Sequence, residues 1–176
     1  LMTKLTDQVI DYLGMQVRAG VDAVQLFDTW GGILHPQDYA KVILPCVQRI
    51  MDSLKDAGVP RIYFLKGNAS FLDQIKQVEC EAMGVDWTLD LDDAITALPD
   101  YTVQGNLDPL VLYGDHGQIR ERALEICRKG TAAPGHVSAP PPDCCLNGPL
   151  AGPPCRWRWS SPPGRSVAPA TGIVSA

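Results

Sequence analysis

The sequence predicts an α/β fold in which parallel strands alternate with helices, and three observations carry that prediction. Strand-sized and helix-sized apolar patterns alternate four times between Leu5 and Gly130. Every strand runs out into a polar cluster, DTWGG, KGN, TLD and QGNLDP in turn, and neither a GxGxxG fingerprint nor a P-loop lysine motif is present. Alternation of this kind implies right-handed helical crossovers between parallel strands, which leaves a doubly wound sheet or a (β/α)8 barrel. Polar clusters at all the strands' carboxyl ends favour the barrel, where those ends share one active-site face, over a doubly wound sheet with a single glycine-rich phosphate loop.

The elements follow in order. Leu5, Val9, Ile10, Leu13 and Val17 repeat at helical spacing and stop before Gly20, which suits a left-handed cap. Ala23 to Phe27 is a short apolar run of strand length, and Asp28-Thr29-Trp30-Gly31-Gly32 is its loop. Pro36 suits a first helical position, and Tyr39, Val42, Ile43, Val47, Ile50, Met51 and Leu54 continue the helical repeat to Gly58, with a kink expected at Pro45. Arg61 to Leu65 is the next strand and Lys66-Gly67-Asn68 its loop. Phe71, Ile75, Val78 and Met83 predict a third helix closed by Gly84, and Val85 to Leu89 a third strand. Asp90, Asp92 and Asp93 stand at the amino end of a short helix before Pro99. Thr102 to Gly105 is the fourth strand, and a helix runs from about Gln118 to Arg128, ending near Gly130.

Composition bounds the function. With 176 residues, 45% of them apolar and 20% charged, the chain can bury one sizeable core. Its longest apolar stretches are strand-sized, far short of the roughly 20 residues of a membrane span, so no membrane partner is expected. Residues 1–136 hold 12 Lys or Arg against 19 Asp or Glu, and this acidic body argues against nucleic acid as a partner. The six cysteines form no CxxC and share no metal-ligand spacing with histidine, so buried thiols are the expectation. His35, His116 and His136 are expected at the surface, and Trp30 and Trp87 in packing. Lys66 and Asp108, just past strand ends, are expected in solvated or structural roles, and Asp86 in bonds between loops.

From Val137 onward the periodicity stops. Nine Pro and four Gly fill a third of the last 40 residues, a composition without a packed core. The division expected is therefore 1–136, folded, and 137–176, a Pro-rich tail that is disordered or out of frame.

Four loop motifs, in this order, resemble the uroporphyrinogen decarboxylase family: QLFDTWGG at Gln25 to Gly32, FLKGN at Phe64 to Asn68, GVDWT at Gly84 to Thr88, and QGNLDP at Gln104 to Pro109. The similarity runs from about Leu5 to His136. It implies a partial (β/α)8 TIM barrel of about four βα units, the family's strands four to seven. The opening Leu1, not a methionine, and the family's longer chain imply that three earlier strands are absent, with their arginine-rich loop, aspartate and substrate-contacting tyrosine. Gly135-His136-Val137 resembles the entry to the eighth strand, after which the pattern departs into SAPPPDCC, as a frameshift, unspliced intron or alternative exon would produce.

The resemblance further implies conversion of uroporphyrinogen III to coproporphyrinogen III by removal of four acetate carboxyls, with no metal or organic cofactor, in a homodimer. No catalytic residue of the family is retained in this stretch. Of its substrate-binding positions one is present, Thr29, where relatives usually carry serine. Taken alone, Thr29 is a turn residue bonding its own backbone; the resemblance assigns its hydroxyl to substrate. The chain itself is expected to be inactive, the alternative being a truncated product that only pairs with the intact enzyme. A corrinoid-dependent zinc methyltransferase of the same superfamily would need His and Cys ligands at the strand ends, and QLFDTWGG and KGN offer none. DTWGG is closer to the bacterial and plastid wording than to the animal one, so the plastid stroma is the compartment expected, ahead of the cytosol.

Overall fold

The computed structural model describes residues 1–137 and 173–175; most of the stretch expected as a Pro-rich tail lies outside the described residues. The chain divides into two compact units, one of Leu1–Met83 with the C-terminal segment, the other starting at Gly84.

In the first unit, helix α1 (Met2–Arg18) buries Thr6, Leu13 and Gln16. Its apolar stripe meets a cluster of Leu13, Val24, Ile50 and Leu54, lined by Val9, Ile10 and Val17, so the spacing that predicts the helix also supplies its packing face. The chain leaves α1 through Gly20, whose φ of 89° needs a residue without a Cβ. Strand β1 (Ala23–Asp28) then pairs in parallel with β2 (Arg61–Leu65), in a register that sets Val24 opposite Arg61 and Asp28 opposite Leu65. All five residues of β2 are buried, as expected of a parallel strand covered on both faces. On the other side of β1, Ile173–Ser175 pairs with it in parallel.

Between β1 and β2 the expected kinked helix takes a different form. It opens as α2 (Pro36–Asp38), widens into a π-helical turn at Tyr39–Ile43, and continues as α3 (Leu44–Ser53). Proline has no N–H and its ring would strike the carbonyl four residues back in a regular α-helix. The wider turn ahead of Pro45 absorbs that conflict without breaking the helix. It also brings Tyr39 into the core, fully buried and edge-on to Phe71 at 5.2 Å.

After β2, the structure corrects the expected third helix and third strand. Helix α4 covers only Leu72–Ile75, and β3 is Ala82–Gly84, so Met83 is in a strand and Val85 to Leu89 lie beyond it. The cause is a long-range ion pair. The Arg61 guanidinium donates to Glu81 at 2.8 and 3.0 Å, and the Arg61 backbone N–H donates to the same carboxylate at 2.8 Å. The Glu81 N–H returns a bond to the Arg61 carbonyl at 3.1 Å. Glu81 is thereby pinned beside the start of β2, and the chain is already extended by Ala82. Arg61 also reaches the Met51 carbonyl at 2.8 Å, tying the end of α3 to the same point.

In the second unit, α5 (Leu91–Ala97) is capped by Asp90, which accepts from the Asp92 N–H at 2.9 Å, as the acidic cluster there predicts. Strand β4 (Thr102–Gln104) is followed by a 3-10 turn at Pro109–Tyr113, then by α6 (His116–Gly130), capped by Asp115. Strand β5 (His136–Val137) pairs in parallel with β4, Val103 opposite His136. Lys129 near the end of α6 bonds Asp90 at 2.8 Å and Asp92 at 3.3 Å; exposed pairs of this kind contribute little stability. Among the described residues no helix is long and apolar enough to cross a membrane.

Candidate functional site

The site starts from the last residue of β1. Asp28 carries two oxygens with separate partners: Oδ1 accepts the Gly31 N–H at 2.7 Å, and Oδ2 accepts the Tyr63 hydroxyl proton at 3.2 Å. The first bond closes a turn over Thr29 and Trp30 of the kind that aspartate favours. Tyr63 lies in the middle of β2 and is fully buried, and its hydroxyl is bonded to that of Tyr39 from the π-helical turn. Burial pushes the Asp28 carboxyl above the usual aspartate range, against the lowering effect of its Gly31 and Tyr63 donors. Both tyrosines are raised, again chiefly by burial, and stay protonated.

Thr29 follows Asp28 directly and is half-buried in the turn. Among the described residues its hydroxyl has no hydrogen-bond partner, so the local backbone bond that an isolated turn threonine would make is not formed. The loop is closed on its far side by Gly32, where a Cβ would run into the Lys66 carbonyl oxygen, so the loops after β1 and β2 touch through backbone. The Lys66 N–H also extends the strand pairing by donating to the Asp28 carbonyl at 3.1 Å.

Other residues singled out in the sequence lie elsewhere. Trp30, expected in packing, is 74% exposed. Asp86 is buried and its Oδ1 holds the Thr88 N–H at 2.9 Å and the Thr88 hydroxyl at 2.5 Å. Asn106 also ties this loop down, its side-chain amide donating to the Leu89 carbonyl at 2.6 Å and to the Asp86 carbonyl at 3.2 Å. Asp108 caps the 3-10 turn through the Leu110 N–H. His35 and His116 are exposed, whereas His136, expected at the surface, is half-buried with Nε2 2.9 Å from the Gly105 carbonyl. Gly130 makes this possible, since a Cβ there would collide with the His136 ring. The Cys80 thiol is pushed up to about 12 by burial and is no nucleophile.

A carboxylate fixed at a strand end beside an unengaged hydroxyl suits the binding and orientation of a polar ligand. A family model described as uroporphyrinogen decarboxylase (URO-D) matches residues 1–147. The chain belongs to the uroporphyrinogen decarboxylase family. A uroporphyrinogen decarboxylase of Geotalea uraniireducens (strain Rf4) is 40% identical over 137 residues, covering 78% of this chain and 40% of the relative. One from Hydrogenovibrio crunogenus is 43% identical over 142 residues, covering 78% and 40%. That of Myxococcus xanthus is 43% identical over 151 residues, covering 81% and 43%. The chain thus spans about two fifths of the length of the curated relatives it matches.

Uroporphyrinogen decarboxylases are TIM barrels, and the parallel strands and crossover helices of this chain are part of one. The motif QLFDTWGG points to this turn and to Thr29. Tyr39 and Tyr63 escaped it, because a tyrosine at a buried repeat position reads as core. The signal available was Asp28, a carboxylate ending a buried strand and therefore in need of donors.

Proposed function

We propose that this chain carries a substrate-binding segment of a uroporphyrinogen decarboxylase, with Thr29 bonding a substrate carboxylate, and that the chain alone does not turn over. The complete reaction converts uroporphyrinogen III to coproporphyrinogen III by releasing carbon dioxide from four acetate side chains. Protonating a pyrrole makes the ring an electron sink next to the acetate, so the ring performs the task an organic cofactor has in other decarboxylases. What remains for protein groups is to hold an anionic substrate in register and to stabilise the developing charge.

The observation that carries the reading is the half-buried Thr29 hydroxyl at the carboxyl end of β1, without a hydrogen-bond partner among the described residues, in a chain of this family. A hydroxyl can donate to one carboxylate oxygen while accepting from a neighbour. The groups that the family resemblance assigns to protonation and to the other carboxylates belong to family segments outside these 176 residues, which supports the expected lack of turnover.

The test is anaerobic incubation with uroporphyrinogen, following coproporphyrinogen by chromatography. The chain alone is expected to yield none. A chimera in which residues 1–137 replace the matching part of the Geotalea uraniireducens enzyme is expected to be active, with Thr29→Ala lowering kcat/KM about tenfold, the effect of one hydrogen bond to a charged group. Turnover by the chain alone, lowered by Thr29→Ala, overturns the reading of inactivity; a chimera indifferent to Thr29→Ala overturns the role of Thr29.

A further inference from the structure

We propose that Asp28 is the positioning residue of the Thr29 turn, held by a two-tyrosine hydrogen-bond chain that runs from the π-helical turn through β2 to the end of β1. Its functional meaning rests on the reading of Thr29 as a substrate-binding hydroxyl.

The direction of the chain follows from proton counting. A phenol has one proton to give. Tyr63 gives its proton to Asp28 Oδ2, so the bond between the two hydroxyls must be donated by Tyr39. The chain therefore points one way, Tyr39 to Tyr63 to Asp28, and ends on a carboxylate, the acceptor that makes the strongest such bonds.

Packing does not account for these hydroxyls. Tyr39 and Tyr63 are both fully buried at positions where the apolar repeat asks only for a ring, and a phenylalanine would fill the same space without two polar groups to satisfy. What the hydroxyls add is a fixed second anchor for Asp28. With Oδ2 held by β2, Oδ1 is presented to the Gly31 N–H at 2.7 Å. Glycine at position 31 leaves room for this contact, since a Cβ there would push the Asp28 carboxylate aside. Thr29 lies between the two anchored residues and contributes nothing to the clamp, which leaves its hydroxyl for a ligand. The titratable groups bearing on Asp28 are Tyr63 from β2 and Tyr39 from the π-helical turn, and no Lys or Arg forms an ion pair with it among the described residues.

The test uses the 176-residue chain labelled with 15N. The Gly31 amide reports the ionisation of Asp28 as pH is varied. Its midpoint is expected above that of an ordinary aspartate, higher again in Tyr63→Phe, which removes a donor to the ionised form, and raised by less in Tyr39→Phe. Asp28→Ala is expected to shift the Thr29 and Gly31 resonances, and Asp28→Asn, which keeps an acceptor, to restore them largely. Midpoints unchanged in both phenylalanine variants mean that the tyrosines only pack, and overturn the proposal. A parallel fluorescence titration with uroporphyrin, the oxidised octacarboxylate, is expected to show binding weakened about fivefold in Tyr63→Phe; unaltered affinity there overturns the positioning role. The Thr29→Ala chimera decides the role of Thr29 and the Gly31 titration decides the clamp, so the two readings fail separately.

Discussion

Arg61, the first residue of β2, and Glu81, just ahead of β3, are joined by three N–H···O bonds of 2.8 to 3.0 Å across 20 residues of chain. Arg61 is almost wholly buried, its side chain 5% exposed, while Glu81 keeps a 31% exposed edge. Removing the guanidinium takes both side-chain donors from the carboxylate, leaving it the Arg61 backbone N–H, and breaks the bond to the Met51 carbonyl, which keeps only the Leu54 N–H. Arg61→Ala is therefore expected to destabilise the chain by about 2–3 kcal/mol, the range for charge-assisted bonds, read as a lower urea midpoint. Arg61→Lys should recover only part of it, since an ammonium cannot form the paired contact.

The same pair gives a pH dependence. Burial, the largest single influence on Glu81, pushes its carboxyl up, but the bonds from the Arg61 side chain and backbone together outweigh it and leave the group below the usual range. A lowered folded pKa means that the unfolded chain binds the proton first. The pair's contribution is present above the unfolded glutamate value of about 4.3 and is lost as pH falls through the lower folded value. Glu81→Gln is expected to flatten that part of the curve of unfolding free energy against pH, and a curve of unchanged slope would exclude the assignment.

Asp28 has the opposite sign. Its folded pKa is raised by burial, so the folded protein holds the proton more tightly and ionising the group at neutral pH costs stability. Asp28→Asn, neutral at every pH and still an acceptor for Gly31, is expected to raise Tm at pH 7. The gain should shrink as pH falls below the raised Asp28 value and vanish below the ordinary aspartate value of about 3.9. Thermal scans across this range check it, and a Tm difference independent of pH would contradict it.

Gly32 tests the contact between the two loops. A Cβ at this position runs into backbone, the Lys66 carbonyl, which cannot rotate away as a flexible side chain would. Gly32→Ala is expected to cost about 1–3 kcal/mol and to disturb the amides of both loops in the same NMR spectrum. A variant of wild-type stability and unshifted Lys66 would show that the loops can part freely.

Where one local rule governs an element, the sequence made it legible. The α1 stripe, the apolar run of β1, the five residues of β2 and the aspartate cap of α5 depend on spacing or on a neighbour two residues away, and all stand where the pattern predicts. The third strand was misplaced because its start depends on Arg61, too distant for any periodicity to register. Met83 fits a helical repeat after Phe71, Ile75 and Val78, and it fits a buried strand equally well. The turn after β1 was legible through the motif that contains it. The tyrosine chain beneath it was not, because side chains from three elements meet there and each reads locally as packing.

The π-helical turn has a consequence for the phase of the helix that contains it. A turn of this kind holds one residue more than an α-helical turn, so everything ahead of it is rotated by about 100° relative to a helix without it. Tyr39 stands at the amino end of this turn, and α3 runs on from its other end to bury Val47, Ile50 and Met51. Winding residues 39–43 as a regular α-helix with none removed would swing Tyr39 a quarter turn off Tyr63 and leave Asp28 with a shortened chain of donors, whereas deleting one residue from the turn would keep the two flanks in their present phase. The extra residue thus acts as an offset between two faces of one helix, letting α3 keep its packing while its amino-terminal end addresses the strand end.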